Sequence, residues 1–273
     1  MTKPIMVCVA PNGARKTKQD HPRLPLSAHE LAVEAENCMN AGASMIHLHV
    51  RDENGKHSIE PIYYRPVIAA IRERVGDGLI IQATTEAVGQ YTTEQQMAMV
   101  HDLKPEAVSL AIKELCPVGT EQRAEKFFKW LVDSQISAQY ILYSVADIER
   151  FINLHALGVI PNKRPSILLV LGRYSRDLSS EPSDLLEFLH ALAGFSCEWS
   201  VCAFGAEESD CMALAAKHGG HARIGFENNM LMQDASLAST NACLISSFAA
   251  RVNKLGLAIA STPQAKEVLR STF

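Results

Sequence analysis

Eight short and almost wholly apolar runs, separated by longer stretches of helical period, constrain this 273-residue chain more than any other feature. The runs are IMVCVA (5–10), SMIHLHV (44–50), LIIQAT (79–84), AVSLAI (107–112), AQYILY (138–143), SILLVL (166–171), EWSVCAF (198–204) and ARIGF (222–226). Strands that are apolar at nearly every position are buried on both faces, as in parallel sheets covered by helices. The stretches between them supply those helices. In SAHELAVEAENCMNAG, Ser27 followed three residues later by Glu30 forms a capping box, and Gly42 provides a stop. Others begin near Thr92, Gly119, Ser144, Pro182, Glu207 and Asp234. Eight such units in roughly 250 residues predict an α/β fold, a (β/α)8 TIM barrel forming a single domain over residues 1–273. An open doubly wound sheet is the competing architecture, but PNGAR stands where a dinucleotide fold places G-x-G-x-x-G after its first strand. The P-loop and the G-x-S-x-G elbow are also missing from the sequence, which weakens nucleotide and serine hydrolysis as readings.

Charge and cysteine usage narrow the function classes. Twenty-six basic against thirty acidic side chains give a net charge of −4, which supplies no field to hold a polyanion, so nucleic acid is excluded as a partner. The seven cysteines are scattered, with no C-x-x-C pair, and are expected to be reduced core residues. The apolar run near the N-terminus is too short for a secretory signal, and no later stretch reaches the roughly 18 apolar residues of a spanning helix. A soluble cytoplasmic protein, with no membrane partner, is expected.

The strongest chemical signal is His47-Leu48-His49 at the C-terminal end of the second strand. Residues i and i+2 of a strand face the same way, so both imidazoles are expected to point into the barrel mouth, where barrel enzymes place their sites. Two imidazoles in an apolar strand are either hydrogen-bonded core residues or ligands of a divalent metal. At the far end of the chain HARIGFENN puts Glu227 just past the eighth strand. Barrel closure brings the eighth strand to the first and the first to the second, so Glu227 joins the histidines. Two imidazoles and a carboxylate leave a coordination position open, as catalytic zinc sites do. Arg223 shares inward parity and suits either a substrate carboxylate or a structural ion pair. Thr84 and Glu86 end the third strand, and Ser109 and Lys113 lie on or just past the fourth; such residues hold substrate or cap the next helix. Nothing near Lys113 marks it as a Schiff-base lysine. His29, His101, His155, His190 and His218 fall in helical segments and read as surface or packing residues, whereas His21 and His57 fall in loops.

Taken in order, PNGARKTKQDHPRLPLS, AGASMIHLHVRDENGKHS, IIQATTEAVG and GGHARIGFENN resemble the beta-keto acid cleavage enzyme family over nearly the whole chain. The resemblance implies a zinc-dependent barrel, a homo-oligomer such as a dimer or tetramer. Such an enzyme reacts a β-keto acid with an acyl-CoA, typically acetyl-CoA, to give a new acyl-CoA and acetoacetate. It implies one Zn2+ per chain on His47, His49 and Glu227, Arg223 as the catalytic arginine, and Thr84, Ser109 and Asn12 at the substrate. Two positions depart from the family pattern. Asn228 stands where the family has an aspartate after the glutamate ligand, and AQYILY lacks the family's fifth-strand glutamate. Asparagine orients but accepts no proton, so the base has moved or the reaction differs. Glu86, inward beside the histidine strand, is the candidate for the missing base, with pairing to a nearby cation as its alternative reading.

Three other readings stay open on the sequence. An amidohydrolase-type hydrolase also uses H-x-H at a barrel mouth, but on its first strand and with further histidines on later ones. A metal lyase or aldolase would run the same enolate chemistry without CoA. A catalytically silent metabolite-binding barrel would account for the missing carboxylates.

Overall fold

The computed structural model describes residues 3–273. In chain order the elements are β1 (Val7–Val9), α1 (Ala28–Asn40), β2 (Met45–Leu48), β3 (Val50–Arg51), β4 (His57–Ser58), α2 (Pro61–Val75), β5 (Ile80–Thr84), α3 (Thr93–Leu103), β6 (Ala107–Ala111) and α4 (Ile112–Leu115). They continue with α5 (Glu121–Asp133), β7 (Ser137–Leu142), α6 (Val145–Ala156), β8 (Ser166–Leu171), α7 (Asp184–Ala191), β9 (Glu198–Ala203), α8 (Glu208–Lys217), β10 (His221–Ile224), α9 (Asn241–Lys254) and α10 (Thr262–Arg270). Eight parallel strands close in the order β1-β10-β9-β8-β7-β6-β5-β2, the (β/α)8 barrel expected from the eight apolar runs. Each run became a barrel strand: β8 matches its run, β7 and β10 begin one residue earlier, and the ends of the others are trimmed by one or two residues.

Local chemistry accounts for most of the helix boundaries. Ser27 accepts from the Glu30 amide while Glu30 reaches back to the Ser27 amide, and Gly42 beyond the helix takes a positive φ. Thr92 and Gln95 repeat the device on α3, and Ser144 caps α6. The helix expected from Asp234 starts later, at Asn241. Asp234 instead holds a turn through the Ser236 amide, Leu231 bridges Leu237, and Thr240 caps α9. An antiparallel hairpin of β3 and β4, closed around Asp52 and Gly55, was not legible as a pair of strands.

Apolar side chains fill three regions. The largest lies between the outward strand faces and the helices, with Ile46, Val108, Phe128, Tyr140, Phe151 and Ile224 in it. The lower barrel interior is filled by Met6, Met45, Ile80 and Ala107, and α10 closes it from below with Ala265 and Leu269. The third, containing Ile141, Val170, Cys202 and Phe204, lines the upper interior on one side only. The cysteines are all free thiols, five of them buried. No helix among the described residues is long and apolar enough to cross a membrane.

Candidate metal centre

Strand register assembles the site. Cys8 of β1 lies beside Arg223 of β10 and beside Met45 of β2, so Arg223 and the histidine strand face each other across a single strand. His47 is paired with Gln82 of β5. Both imidazoles are buried and point inward, with their Nε2 atoms 3.1 Å apart. Glu227 sits in the turn after β10, where its amide donates to the Ala10 carbonyl and ties that turn to β1. Its carboxylate lies 3.7 Å from His47 Nε2 and 3.4 Å from His49 Nε2. Gly13 makes this approach possible: a Cβ there would stand 2.7 Å from Glu227 Cγ, and its φ of +66° suits glycine.

These three side chains are a potential metal-holding group among the described residues. Tetrahedral zinc bonded at about 2.0–2.1 Å requires donor atoms about 3.3 Å apart, and the separations of 3.1, 3.4 and 3.7 Å match that spacing. The donors are also chemically ready. His47 Nδ1 donates to Gln82 Oε1 at 2.8 Å, which leaves the Nε2 lone pair facing the cavity. Burial, reinforced by Arg223, pushes the His47 pKa well below its ordinary value and keeps the ring neutral. Burial opposes ionisation of Glu227, but the Arg223 guanidinium holds its carboxyl well below the usual range. Glu227 Oε2 is buried without a hydrogen-bond partner. A divalent cation satisfies this orphaned oxygen and the facing imidazoles together.

The other expected residues divide between those that border the cavity and those that do not. Above the three donors opens a cavity of 460 Å³, bordered by Thr84, Glu86, Arg223 and Asn228 as well as by the histidines and Glu227. Arg223 donates to Glu227 Oε1 at 2.7 Å and keeps its Nε unpaired. Arg223 is therefore ion-paired and borders the cavity at the same time. Glu86 pairs with Arg15 at 2.9 Å and Arg173 at 3.6 Å, both through Oε1, while Oε2 is 3.9 Å from His49 Nε2. The alternative of pairing with cations holds for one oxygen and leaves the other turned to the donors. Thr84 Oγ1 accepts from the Glu86 amide. Asn228 donates to the Arg223 carbonyl at 3.3 Å, and its Oδ1 has no partner. Ser109 and Asn12 are buried outside the cavity lining. Asn12 donates to the carbonyls of Pro25 and His49, while Ser109 Oγ is unpaired.

Several participants carry no local signature in sequence. Gln82 donates onward to Gln139, and Gln139 to Ser166 and Ser200, making a polar layer beneath the donors. The His57 ring lies tilted against His49 at 5.2 Å, its Nε2 donating to the Glu86 carbonyl, and burial lowers its pKa to about 4. Lys16 reaches the Phe226 carbonyl at 2.5 Å. Glu208, wholly buried at the start of α8, accepts from the Gly225 amide and from Asn229, and burial raises its pKa to about 8. Lys113 lies over the rings of Tyr143 and Tyr174 at 4.1 and 3.9 Å and takes no part in the donor set. His21 is held by the Ala238 carbonyl and the Arg23 amide, away from the site.

Comparison with known proteins places the chain in a family. The chain is 30% identical over 276 residues to the 3-keto-5-aminohexanoate cleavage enzyme of Fusobacterium nucleatum subsp. nucleatum, covering 98% of each. It is 25% identical to the 3-oxoadipate:acetyl-CoA acetyltransferase of Cupriavidus necator, covering 98% of this chain and 95% of the relative. The solved ternary complex of ObcA with a C4-CoA adduct and oxalate shares the fold, with a TM-score of 0.73, 16% identity, and coverage of 91% of this chain and 68% of that one. A family profile described as beta-keto acid cleavage enzyme matches residues 4–270, and the chain belongs to that family.

Proposed function

We propose that this protein is a zinc-dependent cleavage enzyme that exchanges acyl groups between a β-keto acid and acetyl-CoA. The observation that carries the reading is the convergence of His47, His49 and Glu227 on one point of a cavity that also holds the Arg223 guanidinium. His47, His49 and Glu227 would hold the metal. When bound, the metal supplies Lewis acidity to the oxygens of the keto acid and so acidifies the CH2 between its two carbonyl groups.

The chain's own groups then account for the remaining steps. Arg223 receives the substrate carboxylate or the developing enolate, a role suited to a planar fork of donors. Glu86 Oε2 takes the proton from the CH2, and its Oε1, held by two guanidiniums, fixes the carboxylate in place. Thr84 holds the Glu86 backbone, and Asn12 holds the chain at His49 rather than the substrate. Asn228 keeps an unpaired acceptor at the cavity, whereas the Ser109 hydroxyl lies outside its lining. The carbanion bonds to the thioester carbon and expels CoA thiolate. The thiolate next attacks the original keto carbon, the bond between that carbon and the CH2 breaks, and the proton returns from Glu86 to give acetoacetate and the new acyl-CoA. Atoms and electrons balance without a redox cofactor.

A coupled assay for acetoacetate release from acetyl-CoA and a panel of β-keto acids tests the reading. CoA-dependent release is expected, and turnover without CoA points to a lyase or hydrolase instead. Glu86→Gln is expected to lower kcat by about 100-fold or more with metal content unchanged, since losing a general base typically costs that much. A sharp gain from Asn228→Asp with no effect of Glu86→Gln would return the base to position 228.

A further inference from the structure

The cavity has two unlike halves. The side formed by β10, β2 and β5 carries Arg223, Glu227, His47, His49 and Thr84. The side formed by β7, β8 and β9 carries Ile141, Val170 and Cys202, with Phe204 just beyond β9. Val170 and Cys202 are register partners, and with Ile141 and Phe204 they belong to one buried apolar cluster. Charge meets that cluster at its edges, with Arg223 on the strand beside Cys202 and Arg173 over Phe204.

The groups that ordinarily receive a charged substituent are present at the rim, but protein side chains already occupy them. Tyr143 has the Lys113 ammonium over its ring at 4.1 Å, and Phe204 has the Arg173 guanidinium 5.3 Å from its ring centre. Those are the aromatic faces that would hold a substrate cation. Glu86, the carboxylate bordering this side, has Arg15 and Arg173 on it. The cations are engaged as well: Arg15 and Arg173 are turned onto Glu86, Lys16 onto the Phe226 carbonyl, and Lys113 onto the Tyr174 hydroxyl. An ammonium or a second carboxylate placed against Ile141 and Val170 would lose its hydration with no partner in return.

Resting on the proposed function, which sends the reacting carbonyl groups to the donor side, we infer that the keto acid of this enzyme carries an uncharged, apolar side chain. That side chain lies on the wall of Ile141, Val170, Cys202 and Phe204. Specificity then comes from apolar contact combined with exclusion of charge.

Isothermal titration of the zinc-loaded protein, without acetyl-CoA, tests the inference with 3-oxohexanoate, its 5-amino derivative and 3-oxoadipate as probes. The neutral acid is expected to bind at least tenfold more tightly than either charged one. Val170→Asp is expected to reverse the order in favour of the amino acid, and Cys202→Asp serves as the second variant if the first does not fold. Equal or tighter binding of a charged probe, or no binding of any, overturns the inference. The acetoacetate assay on the same samples separates the two readings. Preferred binding of the neutral acid without CoA-dependent turnover sinks the proposed reaction and leaves the wall's selectivity standing, and turnover that favours a charged acid does the reverse.

Discussion

Gln82 Oε1 accepts a hydrogen bond from His47 Nδ1 and so leaves Nε2 as the nitrogen open to the proposed metal. Partners of this kind fix the tautomer and raise ligand basicity, and their loss typically weakens metal affinity by about 10- to 100-fold. Gln82→Leu is accordingly expected to weaken zinc binding by that factor in competition with a chromophoric chelator, while the barrel stays folded. Unchanged affinity would leave Gln82 a filler of the polar layer. Arg223→Lys keeps a cation beside Glu227 but loses the fork, so kcat/KM should fall by about 100-fold, the scale on which an oriented donor acts. Metal content, read by elemental analysis, should stay near one per chain. His47 and His49 stood out in the sequence because two histidines break an apolar strand at a two-residue interval. Gln82 did not, because a glutamine in IIQAT has many innocuous explanations and only the register of β2 against β5 selects its partner.

At the scale of elements, the turn between β10 and α9 carries Glu227, Asn228 and Asn229, and Glu208 of α8 anchors it through the Gly225 amide and Asn229. Burial raises the Glu208 pKa from 4.5 to about 8, so the folded protein keeps a proton that the unfolded chain releases above about pH 4.5. Glu208 therefore contributes stability that is full below pH 4.5 and declines as the pH rises toward 8. Thermal unfolding of the wild type against Glu208→Gln should show the variant with a flatter dependence between pH 5 and about 8. Parallel curves would mean that Glu208 is ionised in the fold. Elements with local codes were legible: Ser27 and Glu30 announced α1, and the apolar run at 166–171 is β8 residue for residue. The start of α9 and the β3–β4 hairpin were not. The helical look of the chain after Asp234 yields to a turn that Asp234 itself stabilises, and two-residue strands are too short to show an alternation.

For the whole molecule, a metal that binds the folded state and not the unfolded one stabilises it by mass action. Chelation is expected to lower Tm, restored by added zinc in a concentration-dependent way, and His49→Ala should abolish the response. A Tm indifferent to chelator in the wild type would argue that the three donors form a hydrogen-bonded core. The sequence by itself determined the architecture, because eight doubly buried strands alternating with helices have few ways to hide their apolar faces. It also determined the candidate donor set, since His47, His49 and Glu227 sit at strand ends that barrel closure must bring to one mouth. Only the tertiary structure decided which groups surround those donors. Burial of His47, the pairing of Glu86 with Arg15 and Arg173, the seat of Glu208 and the division of the cavity into a polar and an apolar half all depend on contacts between distant strands. Inward parity says that a side chain enters the barrel; the register of eight strands and the loops above them decide what it meets there.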